Sequence, residues 1–203
     1  MQTGNEWLDT TLGASPVMAI LRGFGPERTL EVANIAWDLG VTLVEVPIQS
    51  PRDIEALEAT VAAARERGLG VGAGTVINDQ TVADARRAGA SFTVSPGFSA
   101  DVVRASLDAD MPSIPGVATA SEVQAAVAIG LRWLKAFPAA RLTPAWFKDM
   151  AGPFPQVRFV ATGGIDSSNA AAFLAGGASV VALGSALADP AQLPAIAPLL
   201  ATA

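Results

Sequence analysis

Eight short apolar runs alternate along this chain with Ala-rich segments of helical spacing, and no other feature restricts its fold as much. The runs are Val17 to Leu21, Leu43 to Pro47, Leu69 to Ala73, Phe92 to Val94, Ser113 to Pro115, Trp133 to Phe137, Val157 to Ala161 and Val180 to Leu183. Each is short enough for a buried strand. Between them, Glu27 to Leu39, Ile54 to Arg67, Gln80 to Ala88, Ala100 to Ala109, Ser121 to Ile129 and Ser168 to Ala175 read as helices. Helix-start chemistry precedes several: Pro51-Arg52-Asp53, a capping box of Thr119 with Glu122, and Asp166-Ser167-Ser168. Gly40, Gly68, Gly89, Gly130 and Gly176 mark helix ends. A strand-helix unit repeated eight times, at a period of about 20 to 27 residues, predicts parallel βα units. An open doubly wound sheet and a closed barrel both satisfy the alternation. The count of eight favours an α/β (β/α)8 TIM barrel, although 203 residues lie near its lower limit. Glu6 to Leu12 is then an extra N-terminal helix under the barrel, and Ala191 to Leu200, with Pro194 and Pro198, a short final helix. Residues 1–203 are expected to form one domain.

Composition narrows the chemistry. The net charge is −6 and no run of Lys or Arg occurs, so neither nucleic acid nor an anionic membrane surface has an electrostatic footing, and the expected partners are small molecules. The chain has no Cys, His or Tyr. Disulfides, thiolate or imidazole metal sites and Ser-His-Asp or Cys-His triads are thereby excluded, and catalysis is left to Lys, Asp, Glu, Ser, Thr, Arg or water. The first twenty residues carry acids and no basic region ahead of an apolar core, and no apolar run reaches the roughly 18 residues of a membrane helix. A cytoplasmic protein is expected.

In a barrel the chemistry belongs at the C-terminal ends of the strands, and here nearly every such end is polar or glycine. Lys135 is one of two lysines in the chain, and strand alternation puts it on one face with Trp133 and Phe137. A strand lysine more often snorkels or pairs with a carboxylate. Burial, however, disfavours the charged ammonium, and a neutral amine attacks a ketone to form a Schiff base. Lys148 falls in Pro144 to Met150, which reads as a surface helix, and is structural. Glu45 shares a strand face with Leu43 and Pro47, as half of a buried ion pair or as a general acid/base. One Lys and one Glu on inward faces form a minimal set of amine and proton shuttle. Arg22 could clamp a carboxylate or make a rim salt bridge. Thr75 and Thr162 could donate to a substrate oxygen or satisfy turns. Gly163-Gly164 after the seventh strand and Gly184-Ser185 after the eighth stand where many barrels hold phosphate through backbone N–H groups; tight turns would explain either pair alone.

Taken together, ILRG at 20–23, VEVP at 44–47, GAGTV at 72–76, FTVSPG at 92–97, PGVAT at 115–119, LKAFPA at 134–139, ATGGI at 161–165 and LGS at 183–185 resemble the pyruvate-forming class I aldolases typified by 2-keto-3-deoxy-6-phosphogluconate aldolase. The resemblance covers essentially the whole chain. It implies that Lys135 is the Schiff-base lysine and Glu45 the proton-transfer residue. It further implies that Arg22 and Thr75 bind the pyruvate-derived end, that Pro96 and Phe137 contribute to substrate binding, and that Thr162 lies near the cleaved carbon chain. Gly163, Gly164, Gly184 and Ser185 fall at the phosphate. No metal or cofactor is implied, and a homotrimer is. Between the substrates the motifs divide. Glu45-Val46-Pro47-Ile48-Gln49-Ser50-Pro51 is closer to the EIPLNSP of the 6-phosphogalactonate type than to the EVTLRT of the gluconate type. Thr162, Ala139 and Ala151-Gly152-Pro153-Phe154 resemble the gluconate type. The gluconate phosphate is the expected substrate, with 4-hydroxy-2-oxoglutarate as a second; the galactonate phosphate, and a non-catalytic phosphosugar-binding barrel, are the alternatives.

Overall fold

The structure, a computed structural model, describes residues 4–200. The outermost three residues at each end of the expected domain lie outside the described residues. Eight βα units appear as the alternation requires, led by helix α1 (Asn5–Leu12). Strand β1 (Val17–Ile20) precedes α2 (Gly25–Asp38), β2 (Leu43–Pro47) precedes α3 (Pro51–Glu66), β3 (Val71–Gly74) precedes α4 (Asp79–Arg87), and β4 (Phe92–Val94) precedes α5 (Ala100–Asp108). The fifth run is split into β5 (Ser113–Ile114) and β6 (Gly116–Val117), followed by α6 (Ala120–Ala128). Then come β7 (Trp133–Ala136), α7 (Ala139–Ala151), β8 (Arg158–Thr162), α8 (Ala170–Ala175), β9 (Val180–Leu183), a 3₁₀ turn (Ser185–Ala188) and α9 (Leu193–Leu200).

All strands pair in parallel, in the order β5-β4-β3-β2-β1-β9-β8-β7-β6. The split of the fifth run follows from Pro115, which has no N–H to give to a ladder. Its carbonyl still accepts from Lys135 N at 2.9 Å. Because β5 pairs with β4 and β6 pairs with β7, this one broken strand bridges both edges and completes the ring. The barrel expectation is therefore met, and the doubly wound alternative is not.

Local chemistry sets the helix starts. Ser50 caps α3 by accepting from Asp53 N, and Asn78 with Thr81, like Thr119 with Glu122, forms a complete capping box. Three details differ from the sequence expectation. The turn at Asp166 runs on to Asn169, so α8 begins at Ala170 rather than Ser168. The left-handed residue behind it is Gly177 (φ 108°), whereas Gly176 stays helical (φ −75°). Helix α7 starts a turn earlier than Pro144 and kinks at Thr143, because Pro144 cannot continue the hydrogen-bond ladder.

Two apolar layers result from the alternation of each strand. Outward residues such as Val44, Val46, Ala73, Leu134 and Ala136 pack beneath the helices. Inward residues, including Met18, Leu43, Phe92, Ile114, Trp133 and Val180, fill the lower barrel together with Leu8 and Leu12 of α1. Helix α1 is thus a stopper whose apolar side is part of the barrel interior. Asn5 fixes it by donating to Gly130 O (2.8 Å) and accepting from Arg132 N (3.1 Å). Asp9 fixes it again, accepting from Trp133 Nε1 at 2.8 Å and pairing with Arg132 at 2.6 Å. Trp133 is buried, so Asp9→Ala would strand its indole N–H away from water. We expect this variant to lose about 1–3 kcal/mol in urea denaturation, the cost of an unsatisfied buried donor.

Candidate active site

The inward face of β3 consists of glycine alone. Gly72 and Gly74 leave two gaps in the barrel wall, and neighbouring strands fill them: the Phe92 ring lies where a Gly72 Cβ would be, at 2.3 Å, and Glu45 Oε1 lies 1.9 Å from the position of a Gly74 Cβ. The Glu45 carboxyl therefore projects from β2 across β3. It is fully buried, and neither oxygen has a hydrogen-bond partner in the protein. Burial pushes its pKa above the ordinary glutamate range, and the charges of Lys135 and then Arg22 pull it part of the way back.

Lys135 points inward from β7 and is 3% exposed. Its strand neighbours at this level are Gly116 and Val160, and its Nζ lies 5.1 Å from the centre of the Phe137 ring. The lysine opens into a cavity of about 440 Å³ at the C-terminal end of the barrel. Ile20 and Ala182 line its apolar part, Phe137 and Phe24 its sides, and Arg22 its cationic edge. Thr162 also faces it from β8; its hydroxyl donates to Val160 O at 3.4 Å.

Gly163, Gly164, Gly184 and Ser185 line the same cavity. Gly163 (φ 93°) and Gly164 (φ 73°) occupy the left-handed region, which side-chain-bearing residues adopt only with strain. Asn169 ties this turn from behind. Its Oδ1 accepts from Asp166 N at 3.1 Å and its Nδ2 donates to Gly164 O at 2.9 Å. The backbone is thus held in one shape before any ligand arrives.

Two expected substrate residues fall outside the cavity lining. Thr75 (φ 60°) has turned toward a neighbouring groove shared with Gln49, Ser50 and Thr81, because the inward parity of β3 belongs to 72 and 74. Pro96 is exposed, and its carbonyl packs against Gly116, where a Cβ would lie 2.2 Å from Pro96 O. Lys148, on α7, is exposed as expected. The structure also gives a place at the site to two residues that the sequence names without a role there. Gln49 accepts a short hydrogen bond from Arg22 Nη1, so the guanidinium is aimed by a neighbouring strand end. Asp166, read in the sequence only as a helix start, lines the cavity. Its position directly after Gly-Gly-Ile at a strand end was the available signal.

The site places an amine, a guanidinium and a rigid turn of backbone around one chamber, while the Glu45 carboxyl, buried and not among the lining residues, is coupled to the amine and the guanidinium by charge. Among the described residues no group of three His, Cys, Asp or Glu side chains could hold a metal ion. Nor is any described helix long and apolar enough to cross a membrane.

Residues 8–195 match the family described as "Aldolase: KDPG and KHG aldolase". The chain is 41% identical over 170 residues to the 2-dehydro-3-deoxy-phosphogluconate aldolase of Pseudomonas aeruginosa, covering 83% of this chain and 76% of that one. It is 33% identical to the 2-dehydro-3-deoxy-6-phosphogalactonate aldolase of Escherichia coli, covering 85% and 84%. Among solved structures, a KDPG aldolase from Legionella pneumophila, captured with pyruvate as a covalent carbinolamine, superposes with a TM-score of 0.82. It shares 32% identity, with 98% of this chain and 96% of that chain covered.

Proposed function

Because the chain belongs to the KDPG and KHG aldolase family and is a carbon–carbon lyase, we propose that it cleaves 2-keto-3-deoxy-6-phosphogluconate to pyruvate and glyceraldehyde 3-phosphate through a Schiff base on Lys135. The observation that carries the assignment of residues is the pairing of a buried lysine at the cavity floor with a buried carboxyl of raised pKa whose titration it influences. The Lys135 amine adds to the C2 ketone, and loss of water leaves an iminium. Glu45, acting through a water molecule, takes the C4 hydroxyl proton. The C3–C4 bond breaks, its electrons pass into the enamine, and the aldehyde departs. Protonation of the enamine at C3 and hydrolysis of the imine release pyruvate and free the amine. The iminium is itself the electron sink, so no metal or other cofactor enters these steps. A proton donor and acceptor working near neutrality needs a carboxyl shifted upward, which is the direction found for Glu45.

At the pyruvate-derived end, Arg22 is the residue suited to the substrate carboxylate, with its guanidinium aimed by Gln49. Phe137 and Thr162 flank the carbon chain, and the amides around Gly163, Gly164, Gly184 and Ser185 suit the phosphate. Thr75 and Pro96 stay at the periphery in this reading. The same chemistry would cleave 4-hydroxy-2-oxoglutarate to pyruvate and glyoxylate. The strand end Gln49-Ser50-Pro51, whose motif resembles the galactonate type and whose neutral Gln49 receives Arg22, favours one second reading, the galactonate phosphate. A side-by-side cleavage assay with both epimers, phosphorylated and not, decides between them. One domain, a cytoplasmic location and a homotrimer complete the proposal.

The cradle of Glu45 offers a separate test. Gly74→Ala would put a methyl group on the carboxyl oxygen, and a proton shuttle is sensitive to such displacement. The expected result is a kcat lower by about ten- to a hundredfold, with a smaller change in KM, in steady-state assays.

A further inference from the structure

The charges in the cavity are unevenly placed. Its two cations, Arg22 and Lys135, belong to the floor and the pyruvate-derived end. Asp166, the one anionic lining residue among those described, comes two positions after Gly164, at the end where the proposed function puts the phosphate. Among the described residues no Lys or Arg side chain lines that end to offset it. The carboxylate is held in place by its own turn: Oδ1 accepts from Ser168 N at 2.8 Å and from Ser168 Oγ at 2.6 Å. These bonds also keep its pKa below the ordinary aspartate range. The Asp166 N–H, a candidate donor to an anion, is already spent on Asn169.

We propose that Asp166 is a specificity-determining residue that weakens the grip of the glycine turn on a phosphate dianion, narrowing the preference for phosphorylated over unphosphorylated substrate. The proposal rests on the phosphate reading given above. Like charges at the open mouth of a cavity repel through solvent, so the effect is moderate and falls with ionic strength.

Asp166→Asn tests it, since the amide oxygen can still accept from Ser168 while the charge is gone. KM is measured for 2-keto-3-deoxy-6-phosphogluconate and for its unphosphorylated form, on the unaltered enzyme and the variant, at low and high salt. The expected result is a KM ratio, phosphorylated to unphosphorylated, lower in the variant by about three- to tenfold at low salt, with the gain shrinking as salt rises. An unchanged ratio, or a gain indifferent to salt, overturns the proposal. Inhibition of the unaltered enzyme by inorganic phosphate, competitive with the phosphorylated substrate, is measured alongside. If phosphate does not compete and both substrates share one KM on the unaltered enzyme, the phosphate reading itself fails and the proposal falls with it. If phosphate competes and only the Asp166→Asn ratio stays put, the proposal fails alone.

Discussion

Lys135→Met abolishes aldol cleavage, lowering kcat by about four orders of magnitude or more, because no other group at the site can form the imine. The expectation is severe for a compositional reason. The chain has no Cys, His or Tyr and only one other lysine, Lys148, which sits exposed on α7 away from the cavity. Borohydride reduction in the presence of pyruvate should add the corresponding mass to the peptide that contains Lys135, and the variant should take up none. Labelling confined to Lys148, or no labelling of the unaltered enzyme, would sink the Schiff-base assignment. Lys135→Arg separates it from a reaction that uses Glu45 alone with a cation beside it. Arginine keeps the charge but stays protonated and cannot form the imine, so turnover retained in that variant contradicts the assignment.

Glu45→Gln is expected to lower kcat by about 10²- to 10⁴-fold, the usual contribution of a positioned acid/base, while also changing how stability depends on pH. The sign follows from the raised pKa. The folded state holds the Glu45 proton more tightly than the unfolded chain, so between the unfolded and folded pKa values the native protein carries the extra proton. Stability contributed by this group is present at acid pH and is lost as pH rises through the folded value. The amide does not titrate. Urea denaturation of the two proteins should therefore show Glu45→Gln gaining on the unaltered enzyme as pH rises from about 4 toward 8, with the difference smallest at the acid end. A constant difference across that range would mean that Glu45 is not a buried acid of raised pKa. Loss of activity with a gain in stability is what a functional carboxyl in an unfavourable place predicts.

What could be read ahead of the structure depended on whether the signal was local. Strand period, capping boxes and terminal glycines are local, and they place the strands to within one or two residues, as with Val71–Gly74 against Leu69 to Ala73, whereas the starts of α3 and α7 lie further upstream than the sequence predicts. Lys135 and Glu45 stood out because a charge in an apolar strand is anomalous by itself. Thr75, read both as a turn residue and as a donor to substrate, follows the inward Gly74 and lines a groove beside the cavity, a placement that depends on the local turn after β3. The split at Pro115 was visible as a proline in a strand, but its role in joining both edges of the sheet depends on pairing with two partners distant in sequence. Likewise, the Gly74 gap that receives Glu45 and the Gln49 contact that aims Arg22 are made between strands. Such contacts have no signature in a single stretch of sequence. Asp166 was legible as a turn residue; its entry into the cavity depends on where the turn is carried by β8.

The stopper formed by α1 has a kinetic corollary. With Leu8 and Leu12 filling the lower barrel beside Met18, Phe92 and Trp133, the chamber at Lys135 is backed from below by packed apolar side chains and lies at the C-terminal end of the barrel. Substrate and products are therefore expected to exchange through the C-terminal end of the barrel rather than through its base. Pyruvate stays bound to Lys135 as the enamine after the C3–C4 bond breaks, so the aldehyde is the first product free to leave and pyruvate the last.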